Sequence, residues 1–173
     1  MPSLNCDAFH HTLTYICQHD EHGAMGLVMN VPSGLGVHEV LDHLQYEIHP
    51  SCEDGPVLAG GPVNPQAGYV LHRYDGREWV STQKTHSDVA VTSSKDILDA
   101  LAQGNGPENY IMALGYAGWA TGQLEQELSE NCWLTVPADT HILFDLPPDK
   151  RLDAAAAKLG IDIDLISTDF GHA

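Results

Sequence analysis

The segment 115–133, Gly-Tyr-Ala-Gly-Trp-Ala-Thr-Gly-Gln-Leu-Glu-Gln-Glu-Leu-Ser-Glu-Asn-Cys-Trp, holds the densest group of residues able to do chemistry. Its order is an apolar run, a glycine-rich turn and an amphipathic helix, a junction that can aim free backbone N–H groups at an anion. No lysine follows the glycines and the G-x-G-x-x-G spacing is absent, so neither a phosphate loop nor a dinucleotide fingerprint is present. Glu125 and Glu127 would also satisfy the positive helix end themselves. Along the helix Gln123, Glu127 and Asn131 stand at i, i+4 and i+8, a polar stripe beside the apolar pair Leu124 and Leu128. These three side chains, with Gly118 and Trp119 in the preceding turn, are candidates to line a ligand cleft. A solvated helix face produces the same stripe, and Trp119 could equally plug the end of a sheet.

A second candidate is Gly60-Gly61-Pro62-Val63, where paired glycines permit a positive φ or a close backbone approach before proline fixes the exit. A tight turn accounts for this pattern fully. The functional reading is a backbone wall of Gly60, Gly61 and Pro62 opposite Trp119, admitting a flat small molecule. If the chain is an enzyme, Glu127 is the carboxylate for general acid or base work, and His72 in the alternating run 68–74 is its partner. That requires both groups in one cleft, tuned by burial or neighbouring charge. No recognised catalytic motif supports such a reaction: no serine sits in G-x-S-x-G, and no cysteine has an activating neighbour in sequence.

Cys6, Cys17, Cys52 and Cys132 show no C-x-x-C spacing. Reduced thiols are expected, with Cys17 and Cys132 as small core residues. His19-x-x-His22 falls in a hairpin loop and so lacks the helical H-E-x-x-H geometry; no metal and no cofactor are expected.

Charge separates the function classes more sharply than any motif. Twenty-four acidic against seven basic residues give a formal net charge of −17. Nucleic-acid binding draws most of its affinity from lysine and arginine neutralising phosphates, and no basic cluster offsets this surface. Direct nucleic-acid binding is therefore not expected, nor is attraction to an anionic membrane. No apolar run approaches the ~20 residues that span a bilayer. The start, MPSLNCDAFHH, lacks the basic and apolar regions of a secretory leader, so a cytoplasmic location is expected.

The elements that must position these residues follow from periodicity. Runs 12–17 and 24–31 flank Asp20-Glu21-His22-Gly23 and read as a hairpin, with Pro32-Ser33-Gly34 ending its second strand. Val37, Val40, Leu41 and Leu44 at i, i+3, i+4 and i+7 predict a helix over 37–46. Strands are predicted at 56–59, 68–74, around Trp79-Val80, and at 88–92, 110–117, 132–136 and 141–145. Further helices are predicted at 95–103 capped by Ser93 or Ser94, at about 122–130, and from Asp149 to 159 with Gly160 closing it. Strands in hairpin-like pairs favour an α+β fold: one domain over 1–173, its mixed, largely antiparallel sheet packed by about four helices.

The same stretches resemble the AlgH/YqgE-like family of bacterial proteins. The resemblance rests on Gly115-Tyr-Ala-Gly-Trp119, Gly122-Gln-Leu-Glu125, Glu127, Asn131 and Trp133. It extends to Gly23–Asn30, Gly60–Val63, Val70-Leu71-His72 and Gly171-His172-Ala173, in order along nearly the whole chain. It implies an α+β fold with mixed sheets and no established enzymatic activity. The family name reflects a proposed role in transcriptional control of alginate production, which does not imply contact with DNA. It adds weight to Gly61, His72, Trp119, Gln123 and Glu127 as site residues without assigning them a catalytic role. Family members usually carry a short apolar segment before the Met-Pro that opens this sequence; either the start given is misassigned or truncated, or this member lacks that strand, in which case an exposed sheet edge could recruit a second subunit. The reading is a small-ligand or protein-binding module with an indirect regulatory role, the alternatives being an undescribed enzyme using Glu127 and His72 or a direct transcriptional regulator.

Overall fold

The computed structural model describes residues 9–86 and 88–163. Its spine is the strand at Tyr110–Ala120 (β8), whose continuous apolar run is buried along most of its length. Seven further strands gather on it: β1 (Thr14–Asp20), β2 (Gly23–Val28), β3 (Pro32–Gly36), β4 (Pro56–Ala59), β5 (Val63–Arg73), β6 (Gln83–His86) and β7 (Val89–Thr92). The main path is β1-β2-β8-β5-β7-β6, antiparallel throughout. Strand β4 lies parallel to β8 through Leu58 and Ala113, and β3 pairs antiparallel with β4. The fold is α+β with a mixed, largely antiparallel sheet, as the pairing of strands in the sequence predicts.

Period-two alternation divides the core between two faces of this sheet. Leu58, Leu71, Ile111 and Ala113 point into one cluster with Tyr15, Leu27 and Met29. Their neighbours Val57, Val70 and Met112 point into the other, covered by helices α1 (Val37–His43) and α2 (Lys95–Ala102) through Leu41, Ile97 and Leu101. The sheet curls until its end strands meet, with the Tyr15 hydroxyl 2.7 Å from Thr85 Oγ1. Helix α3 (Gln123–Ser129) folds back on β8, and α4 (Pro148–Lys158) lies beyond it.

Several local expectations are corrected. Segments 132–136 and 141–145 are not strands: the first is irregular and the second is a π-helical turn, His141–Asp145. Asp139 explains the turn, since its carboxylate accepts the His141 N–H at 2.9 Å while its carbonyl accepts Leu143 N–H at 3.1 Å. Ile142 and Leu143 are both buried, a consecutive pair that a half-exposed strand could not bury. Val80 is 89% exposed, and the strand expected around it forms four residues later as β6. Pro32 does not end the hairpin strand but opens the edge strand β3, where a proline and a pairing irregularity are tolerated. Ser94 is the N-cap of α2 without a capping bond, its hydroxyl being taken by Asp96; α4 starts after Pro147, with Asp149 inside its first turn. Cys52 is the buried thiol, whereas Cys17 and Cys132 are only half-buried. Cys6 and the Gly171-His172-Ala173 motif lie outside the described residues.

Candidate functional site

Helix α3 is joined to β8 by Thr121 and Gly122 alone, so its first turns lie over Trp119. Trp119 Nε1 donates to Glu127 Oε2 at 2.8 Å, and Trp133 Nε1 donates to the same oxygen at 2.7 Å. Gln123 Nε2 donates to Glu127 Oε1 at 2.9 Å, and Gln123 Oε1 accepts the Ala120 N–H at 3.0 Å. The two indoles meet edge to face with centroids 5.7 Å apart, and Phe9 packs against Trp133 at 5.4 Å. Trp119, Gln123 and Glu127 therefore converge as the sequence suggests, but as a lock.

Burial alone would raise the Glu127 pKa, yet the bonds from Trp133, Gln123 and Trp119 outweigh it and hold the carboxyl below its ordinary value. A general acid or base at neutral pH needs the opposite shift and an uncommitted lone pair. Glu127 is a fixed anion that positions two indoles.

Asn131, the third member of the expected stripe, is not on the helix. It adopts φ 57° just past the end of α3, its N–H reaching Leu128 O at 3.1 Å while Cys132 N–H reaches Glu127 O at 2.9 Å. That pair of bonds is a Schellman cap, with asparagine in the left-handed position. The cap turns the chain so that Trp133 swings back onto Glu127.

His72 is fully buried and elsewhere. It pairs with Tyr110 across β5 and β8, nine residues along the strand from Trp119, or about 30 Å of strand. Its bonds form an ordered chain: Trp79 N–H to Thr82 Oγ1 (2.8 Å), Thr82 to Thr92 (2.8 Å), Thr92 to His72 Nε2 (2.9 Å), and His72 Nδ1 to Arg73 O (3.0 Å). This assigns the proton to Nδ1, and burial lowers the pKa against the pull of the Arg73 carbonyl, keeping the ring neutral. The Glu127–His72 pair required for acid–base catalysis is not assembled.

The glycine wall is also absent. A Cβ on Gly60 would stand 2.4 Å from Gly115 O, and one on Gly61, at φ 153°, would stand 2.1 Å from the Tyr116 carbonyl carbon. Both glycines are needed because backbone crosses backbone there, with Gly60 N–H donating to Leu114 O at 2.7 Å. Pro62 is exposed beyond this crossing. Gly118 lies on the opposite face of β8 from Trp119, beside the Tyr116 ring and Val63.

A cleft does form on the apolar side of the indole lock. A groove of about 460 Å³, within the range of small-molecule sites, runs between Thr14 and Ile16 of β1, the Trp119–Trp133 pair, and Ala155 of α4 with Leu159 just past its end. Of the sequence candidates Trp119 and Asn131 line it; Gly60, Gly61, Pro62, His72, Gly118, Gln123 and Glu127 do not. Its rim leaves Ile16 38%, Leu134 59% and Leu159 40% exposed. Thr14 Oγ1, on its wall, is buried without a hydrogen-bond partner among the described residues.

Arg151 anchors the far wall and was not anticipated. Its side chain is buried, Nη1 donating to Met29 O at 2.7 Å and Nε to Leu146 O at 3.1 Å, with desolvation lowering its pKa. These bonds tie α4, whose Leu152, Ala155 and Ala156 line the groove, to the end of the β1–β2 hairpin. An arginine inside the alanine-rich helix pattern was the available signal.

A sequence model of a family described as AlgH-like matches residues 1–164. A UPF0301 protein of Thioalkalivibrio sulfidiphilus is 51% identical over 173 residues, covering all of this chain and 92% of that protein. The UPF0301 protein AlgH of Pseudomonas aeruginosa is 49% identical over 175 residues, with the same coverage of 100% and 92%. A solution structure of AlgH from Pseudomonas aeruginosa superposes with a TM-score of 0.77 at 49% identity, over 94% of this chain and 86% of that one. The crystal structure of protein DIP2367 from Corynebacterium diphtheriae, 18% identical, shares the fold with a TM-score of 0.67 over 91% of this chain and 82% of that one.

Proposed function

The chain belongs to the AlgH-like family, and from that premise we propose that it is a binding module whose groove takes a small apolar or amphipathic molecule. The observation that carries this is the groove itself: about 460 Å³, walled by two indoles held in place by Glu127, with apolar side chains left open at its rim. A site of this volume and lining suits a flat aromatic or a short acyl ligand. Binding would signal indirectly, in the bacterial cytoplasm, through the ligand or through a protein partner that reads the bound state. The −17 charge disfavours a direct contact with DNA.

The open sheet edge gives a homodimer less support, because β3 is five residues long and contains Pro32 with two glycines. The proposal is tested by thermal denaturation against a panel of aromatic and short-chain acyl compounds, compared with the rim variant Leu134→Asp. A ligand at a hundred times its dissociation constant should raise stability by about 2.7 kcal/mol. Failure of the whole panel to raise Tm, or an equal rise in the variant, overturns it.

A further inference from the structure

We propose that the groove is occupied at rest by the segment 164–173 of the same chain, and that the small-molecule ligand competes with it. This rests on the reading of the groove as a binding site and supplies its regulation.

Three observations converge. Ile161 and Ile163 line the groove, so the last described residues lie at its wall. In the sequence Ile166 and Phe170 stand at i+3 and i+7 from Ile163, the spacing of one helical face, whereas Asp164, Leu165, Thr168 and Asp169 do not share that spacing. The uncovered rim residues Leu134 and Leu159 offer the apolar surface that such a face would cover. Ten residues reach about 15 Å as a helix and about 33 Å extended, enough to cross a groove of this volume in either form.

An occupant tethered at Ile163 acts as an intramolecular competitor. If it is docked nine-tenths of the time, the apparent affinity of any groove ligand falls about tenfold. The test uses Nile red, a neutral dye that the protein's charge does not repel, titrated into the full chain and into a chain ending at Ile163. The truncated chain should bind the dye about tenfold more tightly, and a synthetic peptide of residues 161–173 should displace it. The full-length double variant Ile166→Asp, Phe170→Asp should show the same gain, which keeps the test decisive if truncation impairs folding.

Equal dye affinity in the full, truncated and doubly substituted chains overturns the tail as occupant while leaving the groove a binding site. No dye binding in any of them overturns both readings. A gain produced by Leu4→Asp but by neither tail variant assigns the groove to the first eight residues instead, and a gain that varies with protein concentration assigns it to a second copy; either result overturns the proposal.

Discussion

Trp119 and Trp133, on either side of α3, donate their indole N–H groups to one oxygen of Glu127, at 2.8 and 2.7 Å. A single carboxylate thus fixes the ring orientation on one wall of the groove. Glu127→Ala would leave both donors without their acceptor, and a loss of about 2–3 kcal/mol in urea unfolding is expected. Glu127→Gln keeps an acceptor oxygen and should lose about 1 kcal/mol. A near-neutral alanine variant would show that solvent satisfies the indoles.

The same lock makes a pH prediction. The Glu127 carboxyl is depressed in the fold, so its stabilisation is present above the unfolded value of about 4.5 and disappears as pH falls through the folded value. Wild-type protein should therefore exceed Glu127→Gln in stability at pH 7, and the gap should narrow below about pH 4.5. Urea midpoints across that range check it; a constant gap contradicts it.

At the glycine crossing, Gly61→Ala places a methyl 2.1 Å from the Tyr116 carbonyl carbon at a φ that L residues rarely adopt. More than about 2 kcal/mol of stability should be lost, with β4 and β8 separating first in hydrogen exchange. An alanine variant of unchanged stability would show that β5 can step aside.

These cases show which parts of the molecule were legible in sequence. The β8 run and the α2 pattern announced themselves because period and burial coincide there. Gln123 and Glu127 were visible from i, i+4 spacing, and Trp119 from its place in the glycine turn. The role of Trp133 was not visible, because the Schellman cap at Asn131 reverses the chain and a strand-like CWLTV run becomes a strap over α3. The groove was missed for a related reason: its walls are β1, the π-helical turn and α4, contributed from distant parts of the chain. No local pattern encodes that meeting.

Burial lowers the His72 pKa below the ordinary histidine value, which favours the neutral ring with its proton on Nδ1. Its depressed pKa means that the associated stability is present above about pH 6.5 and is lost as pH falls through the folded value. Nitrogen-15 NMR of the imidazole reads tautomer and charge directly. A ring that charges no lower in pH than an unburied histidine, or a neutral ring with its proton on Nε2, would contradict the Trp79–Thr82–Thr92 donor chain.

Pairing and burial within the fold leave fewer cations for DNA than composition alone suggests. Of seven basic residues, Arg77, Lys84 and Lys158 are engaged with Asp75, Glu78 and Asp139, and Arg151 is buried. Arg73 lies over the Phe144 ring, which leaves Lys95 and Lys150 as the exposed cations least committed within the fold. Each phosphate neutralised contributes roughly 0.9 to the salt slope of binding, so two or three available cations cannot sustain the slopes of duplex-binding proteins. Against 24 acidic side chains they would have to overcome net repulsion first. A fluorescence-anisotropy titration with duplex DNA at about 50 mM salt is expected to stay flat up to about 10 μM protein. Saturable binding below that concentration, weakening steeply with added salt, would require a basic surface that this chain does not supply by itself, and would point to a partner that brings one.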